Sequence, residues 1–195
     1  DGKQGATLRG DVRALAVNDI RIGAAEISAT VGDLFGVPSV DGAASASDVS
    51  AAGVDIQTLT ARASQTGETT QFDAQAALAT GTDIDIAGAL TPVDDGYRLA
   101  VDRAQLQQGQ LGARLAQPAV IQVAGSSVAF NAVRFDVGSG SITATGSAGE
   151  ILGITLDVNA LPLSIANAVM PDLGLAGTVN GRASISGTGS DPQVS

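Results

Sequence analysis

The 195-residue chain has no cysteine, no histidine, no tryptophan, one tyrosine and four phenylalanines. Without cysteine there is no disulfide framework, and the redox compartment stays open. Without histidine the chain lacks the commonest general base and the commonest metal ligand. Charged residues make up only 15% of the chain against an ordinary quarter, so it lacks the high charge of a disordered polymer. Positive charge is scarcer still: 10 Lys and Arg stand against 20 Asp and Glu, with no basic cluster. A phosphate backbone needs a positive surface, so nucleic-acid binding is excluded. No apolar run approaches the roughly 18 residues of a membrane helix, and no basic-then-apolar leader opens the chain. The sequence begins mid-pattern at Asp1-Gly2-Lys3 and stops mid-pattern at Asp191-Pro192-Gln193-Val194-Ser195. It therefore reads as a piece of a longer protein.

What is present is small and aliphatic. Hydrophobic residues reach 44% with aromatics at 3%, so Ala, Val, Ile and Leu carry the apolar content, interleaved with 25 Gly. These residues alternate with polar ones at a period of two, the signature of strands with one dry and one wet face. Phe72, Ala74, Ala76 and Leu78 oppose Asp73 and Gln75; Ile84, Ile86, Gly88 and Leu90 oppose Asp83 and Asp85. Tyr97, Leu99 and Val101 oppose Arg98 and Asp102; Val133, Phe135 and Val137 oppose Arg134 and Asp136. Ile154, Leu156 and Val158 oppose Thr155, Asp157 and Asn159. Leu8 to Val12, Ile20 to Ile22, Val54 to Ile56, Ile142 to Ala144 and Val179 to Ile185 repeat the pattern more weakly.

Turn signals separate these runs at intervals of roughly 8–12 residues, as in an antiparallel all-β chain. The clearest are Thr91 to Gly96, Gly138 to Ser141 and Gly146 to Gly149. Between Phe130 and Val133 the phase slips by one, which predicts a bulge or tight turn near Asn131. Pro162 and Pro171 bracket an apolar stretch, predicting a short helix over 162–170 with the first proline at its first position. A helix near Gln105 to Leu115 is opposed by Gly109 and Gly112. The Ala-, Ser- and Gly-rich stretch from Gly42 to Gly53 is the weakest point, yet it still alternates. A single domain over 1–195 is expected.

A dry sheet face must be covered by a second sheet, by closure, by a helix or by a ligand. About 14–18 strands exceed what an ordinary sandwich carries in sheets of about 4–6. The predicted fold is all-β: a long, curved, antiparallel-rich sheet folded into an open trough with an apolar inner face. On this reading a hydrophobic groove is lined by Phe72, Leu78, Ile84, Ile86, Leu90, Leu99, Val101, Val133, Phe135, Val137, Ile142, Ile154, Leu156 and Val158. On the alternation alone the same residues read more readily as the ordinary core of a sandwich, since half-buried strands look alike in either fold.

Catalytic chemistry finds no foothold. Asp83/Asp85 and Asp94/Asp95 are the close acidic pairs; the first lies on a wet strand face and the second in a turn. A calcium loop needs more oxygen ligands than Asp94-Asp95-Gly96 supplies. Gly138-Ser139-Gly140-Ser141 lacks the lysine of a phosphate loop and a base to activate serine, so it reads as a turn. Gly177 to Gly181 matches a membrane-helix dimer spacing inside polar strand sequence. Arg98, Arg103, Arg134 and Arg182 are scattered singly and read as solvent-facing. No enzyme, cofactor or metal is expected.

From Leu115 onward the chain resembles the repeating C-terminal region of the TamB family, the translocation and assembly module subunit. The resemblance is carried by Ala119-Val120-Ile121, by Val133 through Gly140, and by Ser141 through Gly146. It continues through Leu161 to Ala168 and Pro171, then Leu175 to Gly181 and Gly187 to Pro192. Earlier residues match in texture only, with Gly5 to Gly10 as a faint echo. The resemblance implies a β-rich trough in a periplasmic protein, anchored in the inner membrane by a segment not present here. It also implies an outer-membrane barrel partner of the Omp85 type, and roles in outer-membrane assembly and phospholipid transport. The partner inside the groove would then be a phospholipid or other acyl-chain ligand. Two other readings stay open. One is a scaffold that holds β-strands of outer-membrane proteins during barrel insertion or secretion. The other is a structural β-solenoid of a surface adhesin, although the strand spacing here wanders.

Overall fold

A computed structural model describes residues 5–17, 20–32, 39–51, 53–109, 111–165, 174–189 and 191–195. The chain is all-β, with fourteen strands among the described residues and every recorded pairing antiparallel. It divides into two compact units, Asp1–Thr91 and Pro92–Ser195.

The first unit is a meander of β1 (Ala6–Val17), β2 (Ile20–Gly32), β3 (Ser39–Ala51), β4 (Val54–Thr66), β5 (Thr69–Leu78) and β6 (Thr82–Val93). Each strand pairs with the next in sequence, as short connections between antiparallel neighbours dictate. The expected weak point from Gly42 to Gly53 is instead the body of β3, held in register against β2 and β4 along its length. Small side chains leave the pleat free to pair on both edges, and alternation, not bulk, sets the register here.

The second unit contains β7 (Gly96–Gln108), β8 (Leu111–Leu115), β9 (Ala119–Ala124), β10 (Ser127–Val137), β11 (Gly140–Ala148), β12 (Ile151–Pro162), β13 (Thr178–Thr188) and β14 (Asp191–Val194). Between β7 and β10 lies one interrupted strand: β8 and β9 both pair with both neighbours, with a break at Ala116 to Pro118. Pro118 has no amide hydrogen to donate to a ladder, which accounts for the interruption. Opposite it, β10 carries the bulge expected near Asn131: the register shifts between Phe130 and Val133, and Ala132 takes a positive φ of 51°. A second bulge shifts β12 against β13 between Val158 and Leu161, with Ala160 at φ 45°. The amide of Ala160 donates to Asn180 Oδ1 at 2.7 Å, so the bulged residue keeps a hydrogen-bond partner.

The expected helix over 162–170 needs a correction at its start. Pro162 closes β12, paired with Thr178, and Ser164 and Ile165 are the first helical residues. The rest of that stretch lies outside the described residues.

Candidate functional site

The register converts the sequence pattern into two chemically distinct faces, because directly opposed residues project to the same side of a sheet. In the first unit one row across the strands reads Val12, Ala25, Ala46, Leu59, Ala76, Ile84. The next reads Gly10, Ile27, Ala44, Ala61, Ala74, Ile86, and a third Leu8, Ala29, Gly42, Ala63, Phe72, Gly88. None of these eighteen side chains is polar. The intervening rows are the reverse: Asp11, Glu26, Ser45, Thr60, Gln75, Asp85, then Arg9, Ser28, Ala43, Arg62, Asp73, Ala87.

A further apolar row, Leu15, Ile22, Val49, Ile56 and Leu78, lies beyond a line of irregularity. There Ala14 and Asp48 take φ of 53° and 52°, and β4 shifts against β5 between Ile56 and Thr58. Apolar residues are spaced by three across this line, as in Val12/Leu15, Ala46/Val49 and Ile56/Leu59. Strict alternation would have sent Leu15 and Val49 to the polar side; the left-handed residues reset the phase.

The second unit repeats the segregation. Its longest apolar row crosses seven strands: Leu99, Ile121, Phe130, Gly146, Ile154, Ile185 and Val194. Flanking rows are Val133, Ala144, Leu156, Ala183 and Leu115, Phe135, Ile142, Val158, Gly181. Gly146 is required where it stands: its φ is 134°, and a β-carbon there would collide with the carbonyl of Gly153. The wet face carries the ion pairs. Arg114 and Arg134 lie 3.7 and 3.4 Å from Asp136, and Arg182 Nε donates to Asp157 Oδ1 at 2.6 Å. Arg134 and Arg182 are therefore exposed but paired, each bridging within the polar face.

Every one of the fourteen groove residues expected from sequence falls on an apolar face. Phe72, Leu78, Ile84, Ile86 and Leu90 sit on β5 and β6; Leu99, Val101, Val133, Phe135, Val137, Ile142, Ile154, Leu156 and Val158 sit on β7 and β10 to β12. Val101 is buried and the other thirteen are half-buried. The expected groove left out the share of β1 to β4: Leu8, Val12 and Ile56, whose runs showed the alternation weakly, and Leu15, Ile27, Val49 and Leu59, which sequence reasoning missed, as it did Ile121 and Val123 of β9. The three-residue spacing repeated in successive strands was the signal for the missed residues of β1 to β4.

Little covers these faces. Among the described residues only Val101 and Ala119, a direct cross-strand pair beside the Pro118 break, are buried hydrophobics. Leu8, Leu15, Ile20 and Ile27 remain 41–55% exposed. A depression of about 500 Å³ lies over the middle of β1 to β4, and its lining is mixed: Gly10, Ile27, Ala44 and Ala61 together with the polar rows on either side, Arg9, Ser28, Ala43, Arg62 and Asp11, Glu26, Ser45, Thr60.

The acidic pairs hold no site. Asp85 accepts from Gln75 Nε2 at 3.0 Å on the wet face, and Asp94 and Asp95 form the turn before β7. No group of three or more Asp or Glu suited to a metal occurs among the described residues. Comparison with known proteins finds no matching family, no matching curated protein and no matching solved structure.

Proposed function

We propose that the apolar sheet faces are working surfaces that carry the acyl chains of phospholipid in the space between two membranes. The single observation that supports this is the pairing of marked chemical segregation with sparse cover among the described residues. An ordinary sandwich segregates its faces equally well but buries the apolar one, whereas here two hydrophobic residues are buried among those described. Exposed contiguous apolar area of this kind marks an interaction surface.

The dimensions suit an acyl chain. Six strands spaced at about 4.8 Å make a row of roughly 24 Å, against roughly 15 Å for one leaflet of hydrocarbon. Leaving a 16-carbon chain in water costs on the order of 12 kcal/mol, which such a row offsets in large part. Alanine and glycine along the row leave space above the sheet. The rows carry no charged anchor, so a chain meets the same environment at each step and can slide. On this reading the protein is a periplasmic segment of a bridge from inner to outer membrane, resembling the TamB family, and an Omp85-type barrel is its expected outer-membrane partner.

Mass spectrometry of material co-purifying with the 195-residue chain tests this. Phospholipid on the wild type, lost from a folded Ile86→Arg, Leu156→Arg variant, is the expected result. Wild-type protein free of lipid, and unable to take it up from vesicles, would overturn the lipid reading and leave the strand-holding scaffold ahead.

A further inference from the structure

The depression over β1 to β4 opens on the polar face. Its walls are the Arg9, Ser28, Ala43, Arg62 row and the Asp11, Glu26, Ser45, Thr60 row, with the Gly10 row between them. A hollow on the apolar face would be walled instead by the Leu8 and Val12 rows, which take no part in it. Side chains of the Gly10 row leave from the other side of the sheet, so the floor of the slot is backbone. The walls stand about 6.8 Å apart, two residues along each strand. Ser28, Ala43 and Ser45 keep the middle low, and longer charged side chains rise towards the ends.

Two local rules are broken around this slot. Among the described residues three Arg–Asp pairs are direct register partners: Arg114 with Asp136, Arg182 with Asp157, and Arg62 with Asp73. The first two close as ion pairs; the third does not, and Arg62 lines the slot while Asp73 does not. At the other end Asp11 faces Glu26 directly, a like-charge pair that destabilises the sheet. Arg9, Asp11, Glu26 and Arg62 are all exposed, and none has an ion-pair partner among the described residues. Rules broken together at one place mark a site where function outweighs stability.

We infer that the slot binds a zwitterion, its ammonium between the carboxylates of Asp11 and Glu26 and its anionic group on the Arg62 guanidinium. A cation alone leaves Arg62 unused, and an anion alone meets two carboxylates. Arg9 beside the acids disfavours a divalent metal ion, whereas an ammonium brings a single charge and three donors to two acceptors. Glu26 and Arg62 lie two strands and two residues apart, roughly 12 Å between Cα atoms. Two long side chains leaning inward reduce that span to the few ångströms between the charges of phosphoethanolamine. The hydroxyls of Ser28, Ser45 and Thr60 can donate to the anionic group or accept from the ammonium. The sheet separates this slot from the apolar face, so the inference stands apart from the acyl-chain reading and either can fail alone.

Titration calorimetry of the full chain with phosphoethanolamine provides the test. Saturable binding is expected, with ethanolamine alone and inorganic phosphate alone each weaker by on the order of tenfold, since each makes half of the charge-assisted contacts. Glu26→Gln and Arg62→Gln should each weaken phosphoethanolamine binding by on the order of tenfold for the same reason. Neither side chain is buried or ion-paired, so the urea midpoint should not move, which separates lost binding from lost folding. Asp73→Asn should bind as the wild type does, because Arg62 is not engaged with Asp73. Vesicles of phosphatidylcholine with and without phosphatidylethanolamine identify the source. Co-sedimentation that needs phosphatidylethanolamine and is lost in both variants makes the ligand a lipid headgroup. Binding of the free compound without co-sedimentation makes it a soluble zwitterion. The inference is overturned if no saturable binding occurs up to roughly 10 mM. It is equally overturned if phosphate alone binds as tightly as phosphoethanolamine, or if both variants bind like the wild type.

Discussion

Placing a charge on an apolar face distinguishes an open surface from a core by magnitude alone. Ile86 and Leu156 lie in different units and are half-buried. Fully burying such a side chain contributes about 1.5–3 kcal/mol, so a half-buried one contributes roughly 1–1.5. An arginine there can run its methylenes along the sheet and keep its guanidinium in water, so little beyond that amount is lost. With a urea slope of about 1–3 kcal/mol/M, each substitution should lower the midpoint of its own unit by roughly 0.5–1 M. Val101, at 7% exposure and paired with buried Ala119, is the internal contrast. A charge there is buried without a partner, at a cost of about 3–5 kcal/mol, a large part of a typical domain's 5–15. The assay is urea unfolding followed by circular dichroism, with each unit's transition fitted separately since a two-unit chain need not unfold in one step. Collapse of the fold in Leu156→Arg to the same degree as in Val101→Arg would refute the reasoning, because it would mean that Leu156 is covered.

Gly146→Val should lower stability by about 2–4 kcal/mol, since its φ of 134° and the nearby Gly153 carbonyl both oppose a side chain. Gly153→Ala, whose nearest neighbour would be Ser147 Oγ at 4.0 Å, should be neutral or slightly stabilising, and thermal melts of the pair read the difference. Asn180→Ala removes the acceptor for the bulged Ala160 amide and should cost about 0.5–1.5 kcal/mol with faster hydrogen exchange at Ala160. Asn180→Asp keeps an acceptor and should keep the protection.

The all-β class and the apolar face of β5, β6 and β10 to β12 were legible in sequence because the period of two holds over Phe72 to Leu78, Ile84 to Leu90, Val133 to Val137 and Ile154 to Val158, where large side chains mark it. The bulge beside Asn131 was legible for the same reason: Phe130 and Val133 are bulky enough to reveal a slip. In β1 to β4 the signal fades for two physical causes. Alanine counts weakly as apolar, so β3, with Ala43, Ala44 and Ala46 among serines, resembles a linker until its two ladders are seen. The left-handed Ala14 and Asp48 sit mid-strand and change the spacing from two to three, so a reader tracking alternation loses the face there. Pro162 misled because a proline before an apolar stretch fits a helix start and a strand end alike, and only the Thr178 partner decides between them.

The composition and the open faces have one physical origin. A second layer over the row Gly10, Ile27, Ala44, Ala61, Ala74, Ile86 would gain little, because alanine and glycine have few methyl groups to remove from water. Holding the fold therefore falls to the ladders and to cross-strand pairs, each worth about 0.2–1 kcal/mol. This accounts for the charge placement: Arg182 faces Asp157 and Arg114 faces Asp136 as direct register partners. Such exposed pairs are weak singly and screened by salt, yet opposed in register they also penalise any one-residue slip, which would turn the apolar rows to the wrong side. A sheet with so few buried side chains among the described residues needs that specificity more than it needs their energy, and the apolar face stays open.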